Sequence, residues 1–232
     1  YPVLQTECRG KVLEADKNEP TDQPDQMLWF VYNDKGNIHS ETQGQAVGLE
    51  MQTTAFAYKT NDEINNMTFY TTRIINRGSN ILSNTYFGQW VDPDLGNFSD
   101  DYVGCDVGLS LGYCYNGDEN DEGILGYGLN PPSVGVDFFE GPKKDTTING
   151  RDTSIELGMS RFVYYDNDFT NFGNPQSPIH YYNYLRGLWK NGDPLTFDLA
   201  NGRTGTEPAR YIFPGSSDPD HPNVDWTEAT AG

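Results

Sequence analysis

The chain has 232 residues and a formal net charge of -19, which makes nucleic acid and anionic membrane surfaces poor partners. Hydrophobic residues make up 35%, with 15 Tyr, 12 Phe and 4 Trp, a composition poor in aliphatics and rich in aromatics that suits a β-protein and not a disordered one. No apolar run is long enough for a transmembrane helix, so direct membrane insertion is not expected.

The chain opens at Tyr1, without Met or a signal-peptide core, and ends in EATAG. It reads as a mature or excised part of a longer precursor. Residues 1–26 are charged and carry Pro20 and Pro24, the pattern of an exposed lead-in segment. MLWFVYND then reads as a strand stopped by Asn33-Asp34-Lys35-Gly36. Residues 46–59 alternate, with Leu49, Met51, Thr53, Ala55 and Ala57 on one face and Glu50, Gln52, Thr54, Phe56 and Tyr58 on the other. MTFYTTRIINR alternates in the same way, Gly78-Ser79-Asn80 turns the chain, and ILSNTYFGQWVD is expected to run back as a strand. Further on, SVGVDFFEGP and GMSRFVYYDND read as strands, and KKDTTINGRDT as an exposed polar loop. Ile179, Tyr182, Leu185 and Trp189 recur at helical spacing between Pro178 and Gly192, which predicts a helix of about three turns.

Long strands with polar turns point to a mainly β fold, an antiparallel β-sandwich of the jelly-roll kind with long calcium-binding loops and one packed helix. The sandwich is expected over 27–198. Residues 199–232 are turn-rich and read as an irregular tail that wraps the domain or as a linker to a following domain.

Between Arg77 and Lys143 there is no Lys, Arg or His, while acidic residues crowd WVDPDLGNFSDDYVGCD and YNGDENDEG. Two carboxylates about 6 Å apart repel by roughly 1 to 3 kcal/mol at effective dielectrics between water and a protein surface. Such loops call for a counter-charge, and Ca2+ supplies it with six to eight oxygen ligands at about 2.3–2.6 Å. The first loop offers Asp92, Asp94, Asp100, Asp101 and Asp106, and the second offers Asn116, Asp118, Asn120, Asp121 and Glu122. An EF-hand is rejected, because neither the sixth-position Gly nor the closing Glu follows Asp92 and Asp94. The competing explanation is that these carboxylates are solvated and serve turn geometry.

Of the three cysteines, Cys105 and Cys114 flank a turn. Two readings stand for them: a disulfide closing a small loop in an oxidising compartment, or two buried thiols. Cys8 has no evident partner, and zinc is disfavoured because His39, His180 and His221 are scattered. A glycan hydrolase could use paired loop carboxylates such as Asp92 with Asp94 or Asp101. Alternatively Tyr86, Trp90, Tyr102, Tyr113 and Tyr127 could stack on sugar rings, as in an extracellular carbohydrate-binding module, or fill the core.

The linked motifs DPDLG, DDYVGCD, YNGD, NPPSVGVDFF and YYNYLRGLWK, within roughly residues 25–200, carry a family likeness. The chain resembles the amino-terminal region of large secreted or cell-surface proteins of Bacteroidota that end in a type IX secretion sorting domain. The resemblance implies export to the cell surface or the medium. The partners expected there are other chains or domains of a surface assembly, with glycans as a further ligand class. It implies no reaction. Asp145-Thr146-Thr147 fits the short pattern that such bacteria O-glycosylate, which makes Thr146 a candidate acceptor. The expectation is therefore a non-catalytic, calcium-stabilised domain with a structural or adhesive role.

Overall fold

The computed structural model describes residues 23–231. Most of the lead-in segment, and Cys8 with it, lies outside the described residues. The chain divides into two compact units at the junction of Asn84 and Thr85. It is mainly β, with antiparallel sheets of two or three strands and two short helices.

The first unit is a three-stranded antiparallel meander of β1 (Gln26–Asn33), β2 (Leu49–Ala57) and β3 (Phe69–Asn76), in that spatial order. Its register is continuous from Gln26 opposite Ala57 to Asn33 opposite Glu50, and from Leu49 opposite Asn76 to Phe56 opposite Phe69. Period-two alternation therefore segregates the side chains. One face carries Leu28, Phe30, Tyr32, Met51, Ala55, Tyr70 and Ile74 around the buried Thr53, whose hydroxyl lies 3.1 Å from that of Thr72; it holds no charge. The other face carries Trp29, Gln52, Thr54, Thr71 and Arg73, with Glu50 at one end and the stacked rings of Phe56 and Phe69 at the other.

Asp34 closes the β1–β2 connection. Its carboxylate accepts the backbone N–H of Val47, of Gly48 at 2.9 Å and of Leu49 at 2.9 Å. Those bonds hold its pKa below the usual carboxylate range, against a burial effect that acts the other way.

ILSNTYFGQWVD forms no strand: the boundary between the units falls inside it, and Asn84 takes a left-handed φ of 53°. An exposed crossing between units has no partner strand to pair with.

The second unit is built on β4 (Asp101–Asp106), β5 (Leu111–Asn116) and, after two short intervening strands, β8 (Ser133–Asp137), in the order β4-β5-β8. The intervening pair is β6 (Asn120–Asp121) with β7 (Gly128–Leu129). The segment expected as a polar loop is instead a regular hairpin, β9 (Lys143–Ile148) with β10 (Arg151–Glu156). Asn149 and Gly150, at φ 52° and 76°, make the two-residue turn whose backbone twist matches that of the flanking strands.

GMSRFVYYDND is extended, but it makes only isolated bridges, Phe162 to Tyr211 and Asp166 to Gly173. The helix α1 spans Pro178–Leu185, shorter than its periodicity suggested. Pro178 starts it, and Gly187, at φ 67°, turns the backbone out of it, so Trp189 reaches the core from beyond the helix. The short pair β11 (Thr196–Phe197) and β12 (Glu207–Pro208), then α2 (Glu228–Ala231), complete the chain.

The core of this unit is Tyr184, Trp189, Leu195, Ile212, Phe213 and Trp226. Half of it comes from residues 199–232. That segment is irregular in backbone, yet it runs against β4, with the Cys105 N–H donating to the Phe213 carbonyl at 3.1 Å. It packs as part of the unit, in keeping with a tail that wraps the domain. Arg203 sits over Phe172, with its guanidinium carbon 4.4 Å from the ring centroid, and pairs with Asp166 at 2.7 Å.

Candidate cation site

The two acidic loops meet at one end of β4 and β5. Antiparallel pairing sets Asp101 directly opposite Asn116, so their side chains share a face. Asp100 stands just before the strand, and its carbonyl accepts the Gly117 N–H at 2.8 Å. A side chain at Gly117 would meet that carbonyl oxygen at 2.9 Å, so the close approach of the two loops requires glycine there.

Asp121, 1% exposed, is the tie between the loops. Its Oδ1 accepts the Asn97 N–H at 3.0 Å and its Oδ2 the Tyr127 N–H at 2.8 Å. Asp101 Oδ2 accepts the Leu95 N–H at 2.9 Å. The chain from 95 to 97 thus closes over carboxylates from both loops.

Three oxygens at this node are buried and have no hydrogen-bond donor: Asp100 Oδ1, Asp101 Oδ1 and Asn116 Oδ1. Asn116 is itself only 7% exposed, and its amide nitrogen is occupied by the Asp118 carbonyl at 3.2 Å. Leaving a buried acceptor without a partner costs about 1–3 kcal/mol. Burial pushes the Asp101 carboxyl above the usual range, and the negative charges of Asp100, Asp121 and Asp94 push it further, against the opposing Leu95 N–H. The node is therefore short of positive charge and of donors at once.

The remaining candidates separate from it. Asp106 lies at the far end of β4, where its Oδ1 accepts the Leu109 N–H at 3.0 Å and shapes the β4–β5 turn. Asp118 Oδ1 accepts the Asn120 N–H at 2.8 Å, an Asx-turn, and Asn120 in turn donates its side-chain amide to Glu122 at 2.8 Å. Asp92, Asp94, Asp118 and Glu122 are exposed. The turn-geometry explanation thus accounts for Asp106, Asp118 and Asn120, while Asp100, Asp101 and Asn116 remain unexplained by it.

A ready-made cage is not what the structure holds: among the described residues, no group of three or more His, Cys, Asp or Glu side chains stands arranged to hold a metal ion. The orphaned oxygens still fit a hard cation in their chemistry, two carboxylates and one amide carbonyl, with Asp94 near enough to perturb Asp101.

Cys105 and Cys114 are free and buried. The register places Cys105 opposite Gly112 and Cys114 opposite Val103, so the two are diagonal neighbours on one face. Diagonal positions lie roughly 7–8 Å apart, beyond the Cβ separation of about 3.5–4.5 Å that a disulfide needs. Burial pushes both thiol pKa values up, that of Cys114 to about 11.

The aromatic candidates divide. Trp90 and Tyr127 are exposed at 64% and 60%, whereas Tyr102 packs edge-on against Tyr115 and Trp189 is buried. Thr146 sits on β9 in a shallow depression with Asp145, Thr147, Asp152 and Thr153.

The backbone donors that organise the node, at Leu95, Asn97 and Tyr127, have no signature in the sequence. Asp198 also escapes a reading by motif: it accepts from the backbone of Ala200, Gly202, Arg203 and Thr204, and only the spacing of Asp198 to Ala200-Asn201-Gly202 hints at an Asx-turn. Comparison with protein-family models, with curated proteins and with solved structures gave no match, so the reading of this site rests on its own geometry.

Proposed function

We propose that this chain is a non-catalytic, calcium-stabilised domain of a secreted or cell-surface protein, with a structural or adhesive role in a surface assembly. The observation that supports it is the trio of buried, donor-less oxygens on Asp100, Asp101 and Asn116. In the proposal these three hold Ca2+, with Asp94 and water completing the shell, and the ion supplies the positive charge that lets the two loops close. Asp121 acts beside them by tying the loops together through Asn97 and Tyr127.

The extracellular setting rests on the likeness to exported Bacteroidota proteins, with which the strongly acidic composition agrees. The sandwich belongs to the same proposal. The uncharged face of β1–β2–β3 leaves Leu28, Tyr32, Tyr70 and Ile74 between 42% and 66% exposed, as a sheet does that has a second layer to pack against. O-glycosylation of Thr146 on the β9–β10 hairpin is the third component.

The decisive experiment is calcium titration of chelator-stripped protein by calorimetry, with metal content measured on the same sample. One ion bound per chain, lost in Asp101→Asn, is expected. Absence of binding at millimolar calcium would remove the proposal's foundation.

A further inference from the structure

The charged face of the β1–β2–β3 sheet is not accounted for by calcium or by a sandwich partner. Across its three strands the register stacks four rows: Met27 with Phe56 and Phe69, Trp29 with Thr54 and Thr71, Val31 with Gln52 and Arg73, and Asn33 with Glu50 and Ile75. Trp29 is 57% exposed, with hydroxyl-bearing neighbours beside it. A second hydrophobic layer would bury the Gln52, Glu50 and Arg73 side chains at a cost, so an apolar protein interface belongs on the opposite face.

The polar groups are held in place before any ligand arrives. Glu50 takes Arg77 through both carboxylate oxygens, at 3.1 and 3.3 Å, and Gln52 donates its amide to Glu50 at 2.7 Å. Glu50 is thereby neutralised. Arg73, exposed and directly opposite Gln52, enters no ion pair among the described residues. The face therefore carries Arg73 and Arg77 against Glu50, a local excess of one positive charge in a chain of net -19.

We propose that this face binds an acidic glycan: a pyranose ring stacks on the Trp29 indole, its hydroxyls meet Thr54, Thr71 and Gln52, and a uronate carboxylate is taken by the Arg73 guanidinium. An aromatic ring covers the apolar C–H face of a sugar, and a guanidinium matches a carboxylate through two parallel N–H donors. Charge complementarity selects the acidic glycan over a neutral one. At physiological salt, carboxylates more than about 8 Å from this face are largely screened and weigh little against the local charge. This inference is independent of the calcium reading.

The test is binding of oligogalacturonate and oligomannuronate, followed by Trp fluorescence and calorimetry. It is run in chelator, so that calcium cannot bridge carboxylates of protein and sugar, with cellotetraose as the neutral control. At least one uronate oligomer binds, more weakly as salt rises. Trp29→Ala and Arg73→Gln each weaken it about ten-fold, and Arg73→Gln also flattens the salt dependence. Trp29→Tyr keeps most of the affinity, and Tyr70→Ala on the opposite face keeps all of it. Failure of both uronates to bind, cellotetraose binding as tightly as they do, or affinity unchanged in both the Trp29→Ala and Arg73→Gln variants would overturn the assignment.

Discussion

Asp101 and Asn116 stand opposite each other across β4 and β5, and each turns a buried side-chain oxygen toward no donor among the described residues. Each such buried acceptor carries a desolvation cost that a cation or a hydrogen-bond donor would relieve. Asp100 adds a third such oxygen from the adjoining turn. This relationship yields the most direct prediction.

In chelator, Asp101→Asn raises stability by about 1 kcal/mol, because it removes a charge held near three other carboxylates while keeping an acceptor for the Leu95 N–H. With millimolar calcium the order reverses. The parent protein gains about 5–10 °C in melting temperature, as expected of a site saturated about a hundred-fold above its dissociation constant, and the variant gains little. Paired thermal melts in chelator and in calcium measure both effects; equal melting temperatures for the parent protein in the two conditions would refute the site.

The pH dependence has a definite sign. The Asp101 pKa is raised in the folded state, so its favourable contribution is present below the unfolded value and is lost as pH rises through the folded one. The stability gap between Asp101→Asn and the parent in chelator therefore shrinks as pH falls through the folded value. Asp34 and Asp198 behave in the opposite sense, with depressed values whose contribution is lost only as pH falls through them. Denaturant melts of both proteins along a pH series isolate the Asp101 effect, because the other two groups are common to both.

Asp198 organises the 198–204 turn by accepting four backbone N–H groups and the Thr204 hydroxyl. Asp198→Ala leaves several of those donors without a partner and costs about 2–3 kcal/mol. Asp198→Asn costs less, since one amide oxygen still accepts. Urea unfolding gives both values, and a loss below about 0.5 kcal/mol for the alanine variant, the floor for a single hydrogen bond, would contradict the assigned role.

Trp226, 1% exposed, meets Phe197 and Phe213 edge-on and donates its indole N–H to the Ala200 carbonyl at 2.9 Å. Trp226→Ala is expected to cost about 3–5 kcal/mol, the range for emptying a large aromatic site. Removal of residues 209–231 unfolds the second unit altogether, which loss of its near-ultraviolet dichroism would report. A truncated chain that kept that signal would show the segment to be dispensable.

Neither Cys105 nor Cys114 reacts with a thiol reagent at neutral pH in the folded protein, because burial both shields them and suppresses the thiolate. Both become reactive in denaturant. Rapid modification of either one under native conditions would show that the β4–β5 face opens.

The three strands of the first unit are legible in the chain, β1 as an apolar run stopped by Asn33-Asp34-Lys35-Gly36, and β2 and β3 by their period-two alternation. The acidic interval between Arg77 and Lys143 likewise announces a charge problem through residue types alone. The Asn149-Gly150 turn is also written there, but its polar Thr-rich flanks carry no hydrophobic alternation and so disguise the hairpin as a loop.

What composition and spacing could not resolve is which of ten candidate ligands share a space. That follows from the β4–β5 register, which sets Asp101 against Asn116 and carries Asp106 to the other end of the strand. It follows also from Asp121, whose bonds to the backbone of Asn97 and Tyr127 join segments of two separate loops. The same holds for the C-terminal stretch, whose turns leave open whether it wraps the domain or leads away from it until Ile212, Phe213 and Trp226 are seen filling the core. Local pattern reports which residues prefer to be extended or turned. Long-range pairing, which depends on the whole chain closing on itself, decides which charges must live together and which side chains are left facing water.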